Sequence, residues 1–196
     1  MKTLIINGGT IEDAFALSYI ERVKPDCILA ADRGMEFCYR NQIKPDVILG
    51  DYDSADKTIL EAFRRQSGIE WHQYQPEKDY TDSEIAIGKA MERNSSEIHI
   101  LGGTGTRLDH VLGNIQLLMQ PLAKDIPCFL IDFHNRIRLL KARTILSKSQ
   151  QFGTYVSLLP LTTEVTGVTL TGMKYPLQDA AFTSDNTSVS YTHLTL

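Results

Sequence analysis

The feature that most constrains this chain is an alternation running through its first two thirds. Short apolar segments give way to stretches of helical periodicity, and then to apolar segments again. Residues 3–7, 27–31, 47–50, 70–74, 98–102 and 127–132 read as buried strands. Helical spacing fills the intervals near 12–22, 34–41, 57–67, 82–93 and 109–119. In the last of these, Leu108, Leu112, Ile115 and Met119 predict one apolar helix face. Apolar strands separated by helices imply an α/β fold, a mainly parallel sheet with helices on both faces.

The pattern changes after Asn135. Segments 137–140, 144–147, 154–159 and 168–170 are short and rich in Thr, Val and Leu, with Gly153, Pro160, Gly167 and Gly172 as punctuation. No helix is expected there. The reading is two domains, α/β over 1–135 and antiparallel β over 136–196, divided by a change of period rather than by a linker.

Composition narrows the partners. A chain of 196 residues buries roughly 70% of its extended surface. Twenty Lys and Arg against 24 Asp and Glu, a formal charge of −4, argue against a protein that wraps nucleic acid. They leave room for a single nucleotide, whose phosphate charge a metal ion can offset. No apolar run approaches the roughly 18 residues of a membrane span. Met1-Lys2-Thr3 leads straight into Leu4-Ile5-Ile6 and Asn7-Gly8-Gly9, too short and polar for a signal peptide. Cys27, Cys38 and Cys128 are odd in number and lack metal-ligand spacing, which predicts buried thiols in a reducing compartment. The expected location is the cytoplasm, with no membrane and no nucleic acid.

The chemistry-bearing residues fall just after the expected strands. Gly50-Asp51-Tyr52-Asp53-Ser54 follows Val47-Ile48-Leu49. In extended backbone Asp51 and Asp53 point to one side, and a divalent cation is the usual reason for placing two carboxylates together. A solvated turn in which Asp53 or Ser54 caps the next helix accounts for the same residues. In Glu77-Lys78-Asp79-Tyr80-Thr81-Asp82-Ser83-Glu84, Thr81 and Glu84 fit a capping box. The helix start favours anions, and Asp79 and Asp82 could ligate metal. A merely well-capped helix explains Thr81 and Glu84 equally.

A third cluster, Gly102-Gly103-Thr104-Gly105-Thr106-Arg107-Leu108-Asp109-His110, again joins a strand to a helix. Its glycines let backbone amides approach phosphate oxygens, and Arg107 offers a bidentate fork. It matches neither the Walker loop nor the dinucleotide fingerprint, and a glycine turn capped by Asp109 is the alternative. With Ala31-Asp32-Arg33-Gly34, four clusters lie at strand carboxyl ends, where open α/β sheets collect ligands. One polyanion site with a metal explains them together.

In this order, Ala31-Asp32-Arg33-Gly34, Lys44-Pro45-Asp46 with Gly50-Asp51-Tyr52-Asp53-Ser54, Glu77-Lys78-Asp79-Tyr80-Thr81-Asp82 and the Gly102–His110 cluster resemble the thiamine pyrophosphokinase family. The likeness continues through Gly172-Met173-Lys174-Tyr175-Pro176-Leu177. It implies a Rossmann-like nucleotide domain followed by a small antiparallel β-sandwich that binds thiamine and dimerises. It also implies Mg²⁺-dependent transfer of diphosphate from ATP to the thiamine hydroxyl, releasing AMP. The active site would lie between the subunits of a homodimer.

By motif position the resemblance assigns the metal to Asp51, Asp53 and Asp82, and catalysis to Asp109, Asp82 and Arg107. Asp32, Gly34, Gly50, Ser54, Lys78, Thr81, Gly103, Thr104, Arg107 and His110 would hold the nucleotide. Ser188 and Ser190 would touch thiamine. Arg33 and Thr106 stand where the family usually has glycine, adding side chain beside the expected phosphate path. Tyr191-Thr192-His193-Leu194-Thr195-Leu196 stands where the family usually continues with Asn-Glu and further strands, so the β-domain is expected to be incomplete at its C-terminus. Two rival functions use the same residues: a metal-dependent phosphoesterase acting through bound water, and a non-catalytic nucleotide sensor.

Overall fold

The computed structural model describes residues 1–53, 55–75 and 79–185. It divides into two compact units, Met1–Arg143 and Thr144–Leu196. In the first, β1 (Lys2–Ile6), β2 (Cys27–Ala31), β3 (Val47–Gly50), β4 (Glu70–Gln73), β5 (Glu97–Leu101) and β6 (Cys128–Ile131) lie parallel in one sheet. Between them run α1 (Asp13–Val23), α2 (Gly34–Arg40), α3 (Lys57–Arg64), α4 (Asp82–Glu92), α5 (Leu108–Leu117) and α6 (Met119–Ala123). A two-residue strand, β7 (Arg136–Ile137), adds antiparallel to β6.

The strand order is β4-β3-β2-β1-β5-β6-β7. The chain builds outward from β1 in one direction and then crosses to β5 on the other side. The order therefore reverses between β1 and β5, the switch point at which such sheets open a crevice.

Period two sorts the strand residues to the two faces. Ile5, Leu29, Ala31, Val47, Leu49, Ile98, Ile100 and Leu130 form one core with Ala86, Ile87 and Ala90 of α4. Leu4, Ile6, Ala30 and Ile48 point the other way and are equally buried. Each fully buried Leu or Ile contributes about 1.5–3 kcal/mol, so the central strands anchor the domain. All three cysteines are buried free thiols, and burial pushes Cys38 and Cys128 up to about 12. Trp71 lies half-buried on β4, edge-on to Tyr52.

Three expectations need revision. The helix read over 109–119 ends at Leu117, and a short α6 carrying Pro121 follows it. On α5 only Ile115 of the expected apolar face packs on the core, while Leu108, Leu112 and Met119 are 74%, 61% and 52% exposed. Strand 136–137 belongs to the α/β sheet, so the first compact unit runs eight residues beyond the expected boundary of 135.

In the second unit β8 (Glu164–Leu170) and β9 (Leu177–Thr183) form a two-stranded antiparallel sheet. Segments 144–147 and 154–159 carry no strand, and 3₁₀ turn Lys148–Gln150 lies between them. Thr, Val and Leu favour strands where a partner strand covers them, and among the described residues these two segments hold only a single bridge residue, Val156. No helix among the described residues is long and apolar enough to cross a membrane.

Candidate active site

The ends of β1 and β5 are sewn together by their own backbones. Asn7 N–H donates to the Leu101 carbonyl (2.8 Å), Gly9 to Gly102 (2.9 Å) and Thr10 to Thr104 (2.9 Å). This leaves two glycine loops side by side at the switch point. Gly102 has a φ of +68°, and a Cβ there would lie 2.3 Å from the Asn7 carbonyl oxygen. Gly34 is equally constrained, since its Cβ would meet the Ile6 oxygen at 1.9 Å. Both positions need glycine because strand ends and a helix start converge on one point.

Around that point opens a cleft of about 940 Å³. Its walls are residues 7–10 after β1, 31–33 after β2, 81–84 at the start of α4 and 102–107 after β5, with α5 along one side. Asp32, Thr81, Asp82, Gly103, Thr104, Arg107, Asp109 and His110 all line it, as the sequence led us to expect. Gly34 and Gly50 stand behind the lining. A Cβ on Gly50 would lie 3.3 Å from the Asp32 Cα, so that glycine lets the Asp32 turn approach β3. Ser54, Lys78, Ser188 and Ser190 lie outside the described residues.

Asp51 and Asp53 are not part of this lining. The extended backbone assumed for them is interrupted at Tyr52, which has a φ of +64°. The Asp51 carboxylate accepts the Asp53 N–H at 3.0 Å and closes a turn. Tyr52 is buried beneath, its hydroxyl lying 3.0 Å from the Ile48 oxygen and 2.9 Å from the His72 oxygen. Burial pushes its pKa up to about 12, and the charge of Asp82 adds to the rise. Helix α3 is capped by Asp56, which accepts from Thr58 N–H at 2.7 Å, and not by Asp53.

The start of α4 realises half of the expected capping box. Thr81 Oγ1 accepts the Glu84 N–H at 3.2 Å, while the Glu84 carboxylate accepts Gln120 Nε2 at 2.8 Å. Asn114 Nδ2 donates to the Gly103 oxygen at 2.7 Å and fixes the second glycine loop.

Both arginines of the cleft are held by carboxylates. Arg33 forks onto Glu36 (3.0 and 3.2 Å), which draws the extra side chain at this position toward its own helix. Arg107 forks onto Asp109 (3.2 and 2.6 Å), and this pair is exposed. The Arg107 hydrogen bond holds the Asp109 carboxyl below its ordinary range. A phosphate oxygen can take the place of the carboxylate on that fork, since both present bidentate acceptors.

The carboxylates lining the cleft are hard oxygen donors. They fit a Mg²⁺ ion, which takes one or two protein carboxylates and completes its shell with water and substrate phosphates. Among the described residues no three His, Cys, Asp or Glu side chains are grouped to hold a metal unaided. The sequence reading missed the loop after β1: Asn7, Gly8, Gly9 and Thr10 all line the cleft. The signal was present, a Gly-Gly pair directly after an apolar strand, as at Gly102-Gly103.

Comparison with known proteins matches residues 22–130 to the catalytic domain of thiamin pyrophosphokinase and residues 143–190 to its vitamin B1 binding domain. The thiamine pyrophosphokinase of Bacillus subtilis is 35% identical over 162 residues, 81% of this chain and 74% of that protein. Thiamine pyrophosphokinase 2 of Arabidopsis thaliana is 30% identical over 73% of this chain, but only 56% of the plant protein is spanned. Among solved structures, the Bacillus subtilis thiamine pyrophosphokinase superposes with a TM-score of 0.87 at 28% identity, covering all of this chain and 91% of that one. The Geobacillus thermodenitrificans enzyme gives a TM-score of 0.82 at 27% identity, with coverages of 100% and 89%.

Proposed function

This chain belongs to the thiamine pyrophosphokinase family, and we propose from that premise that it transfers the terminal diphosphate of ATP to the hydroxyl of thiamine. The observation that carries the reading is the cleft at the β1/β5 switch point, in which glycine loops, a helix start and a releasable arginine fork converge. In the reaction the thiamine oxygen bonds to the β-phosphorus while the bond from that phosphorus to the α,β-bridging oxygen breaks. AMP leaves with the bridging oxygen. The hydroxyl proton passes to a carboxylate, a role we give to Asp109.

Such a transfer needs positioning and charge stabilisation rather than a covalent nucleophile. The glycine loops and the start of α4 present backbone N–H groups to phosphate. Arg107 turns from Asp109 to the phosphates, and this frees the Asp109 carboxylate to receive the proton. Asp82, which lines the cleft, would hold Mg²⁺ together with water and substrate phosphates. Asp51 and Asp53, outside that lining, are the further carboxylates the resemblance assigns to the ion, which would supply positive charge to the transferring diphosphate. Asp32, Thr81 and His110 border the nucleotide in this reading, and the resemblance assigns Lys78 to it as well.

We assign thiamine to the β-domain through Ser188 and Ser190 and assign the working enzyme as a homodimer, in the cytoplasm. The exposed Leu108 and Leu112 of α5 and Met119 of α6 support a second copy, because exposed apolar side chains grouped together mark contact surfaces. Three buried free thiols support a reducing compartment.

The test is product analysis with ATP and Mg²⁺. AMP that forms only when thiamine is present, together with thiamine diphosphate, is the expected result. Phosphate released without acceptor would indicate a phosphoesterase, and tight nucleotide binding without turnover would indicate a sensor.

A further inference from the structure

Asn7 is the last link of β1 into the cleft, directly at the switch point. It is 6% exposed, and it lines the cleft. Its Nδ2 donates to Ser83 Oγ at 2.8 Å, which ties the end of β1 to the first turn of α4. Its Oδ1 is buried with no hydrogen-bond partner, the one such side-chain atom among the described residues. A buried acceptor left without a donor is unfavourable by about 1–3 kcal/mol, so its retention in a ligand cleft points to a donor that arrives with the ligand.

The chemistry of that donor is restricted. Ionised phosphate oxygens carry no hydrogen and would be repelled by a carbonyl oxygen, so Oδ1 does not face bare phosphate. We propose that Asn7 is a nucleotide-binding residue whose Oδ1 accepts an O–H from the bound nucleotide complex, either a sugar hydroxyl or a water carried on its metal. The neighbouring glycine loops take the acceptor oxygens of the phosphates, while Asn7 takes a donor. The same side chain registers that donor against α4 through Ser83, so one amide aligns the ligand with the helix that bears Asp82. This rests on the reading of the cleft as a nucleotide site.

Calorimetric titration of the full chain and of Asn7→Leu with ATP, 2′-deoxy-ATP and 3′-deoxy-ATP, each in EDTA and in Mg²⁺, reads the bond. Asn7→Leu is expected to bind ATP about ten-fold more weakly. If a sugar hydroxyl is the donor, the wild type loses a similar factor on one deoxy analogue even in EDTA, and Asn7→Leu no longer distinguishes that analogue from ATP. If metal-borne water is the donor, the deoxy analogues bind the wild type as ATP does and the Asn7→Leu deficit appears only with Mg²⁺. Without ligand the variant is expected to melt within a few degrees of wild type, while its ATP-induced rise in Tm shrinks. Should it melt early, Asn7→Ala takes its place under the same criteria.

Ser83→Ala keeps the acceptor and removes the partner of Nδ2, so it is expected to lose less ATP affinity than Asn7→Leu. Equal ATP affinity of Asn7→Leu and wild type in both conditions overturns the assignment while leaving the proposed activity standing. A loss in Ser83→Ala as large as in Asn7→Leu overturns it too, because the bond between the two residues would then be what matters. A wild type that binds no ATP in either condition overturns the nucleotide reading and this inference together.

Discussion

At the scale of single residues the pair to test is Arg107 and Asp109, which fork onto each other and to which we assign phosphate binding and proton transfer. Asp109→Asn keeps the size and removes the proton acceptor. Turnover is expected to fall by roughly 10²–10⁴-fold with little change in ATP affinity, as measured by single-turnover kinetics beside titration. The pH dependence has a definite sign. In the free protein Arg107 lowers the Asp109 pKa, so the carboxylate stays ionised further into acid than an ordinary aspartate. Removing the guanidinium in Arg107→Gln relaxes that lowering, and the acid limb of kcat/KM is expected to move to higher pH. An unmoved limb in the residual activity would show that another group carries it. Glycines and charged residues after apolar strands made Asp32, Thr81, Asp82, Gly103 and Asp109 legible from sequence, because strand polarity alone dictates where they end up. Tyr52 was not legible that way. Its φ of +64° is one that tyrosine rarely adopts, and it turns the Asp51–Asp53 spacing from a strand pair into a hydrogen-bonded turn.

At the scale of elements, helix α1 is pinned to β5 by a polar contact inside an apolar face. Tyr19 Oη lies 2.7 Å from His99 Nδ1, and His99 Nε2 lies 2.8 Å from a Glu97 carboxylate oxygen. Because ionised Glu97 only accepts, neutral His99 donates from Nε2, and its Nδ1 accepts from Tyr19. Burial holds the His99 pKa below its ordinary 6.5 against the opposing pull of Glu97. An unfolded chain binds this proton more readily than the folded one, so the contribution is complete above about pH 6.5 and declines as the pH falls through that value. Thermal melts from pH 7.5 to 5 are expected to show this decline, with a shallower slope in His99→Gln. At pH 7.5 that variant is expected to be destabilised by about 1–3 kcal/mol through the disturbed bonds to Tyr19 and Glu97. The parallel strands were readable because burial on both faces leaves an unbroken apolar run. The α5 face shows where periodicity stops being informative: it specifies an amphipathic helix but not what covers its apolar side. Leu112→Glu places a charge on that face, and light scattering is expected to report monomers in place of the dimer we assign to the wild type, with the fold retained because Leu112 is 61% exposed.

At the scale of the whole molecule, the seam between the two units separates the proposed steps of binding. Among the described residues, those lining the cleft fall between Asn7 and Gln120, inside the first unit. The sequence placed the seam at 135 because the apolar-strand and helix alternation stops there. What it could not register is that a two-residue strand completes the sheet edge: Leu130 pairs with Ile137 and Ile131 with Arg136, and Ile137 and Leu139 pack on the core. Such a strand is too short to carry a period of its own, and only its pairing defines it. Of the β8–β9 hairpin the sequence showed only 168–170 of β8, since β9 becomes a strand by lying against β8. These pairings predict a difference between two truncations. A fragment of residues 1–143 keeps β7 and is expected to fold cooperatively and bind ATP near the wild-type affinity. It should make no thiamine diphosphate, because we assign thiamine to the second unit. A fragment of 1–135 exposes the edge of β6 and loses the packing of Ile137 and Leu139. At about 1.5–3 kcal/mol for each fully buried side chain, and less for these partly buried ones, its Tm is expected to fall by several degrees below that of 1–143. Its open edge is also expected to promote self-association. Equal melting temperatures for the two fragments would place the structural boundary at 135 after all. Loss of ATP binding in a well-folded 1–143 fragment would show that the nucleotide site needs residues of the second unit.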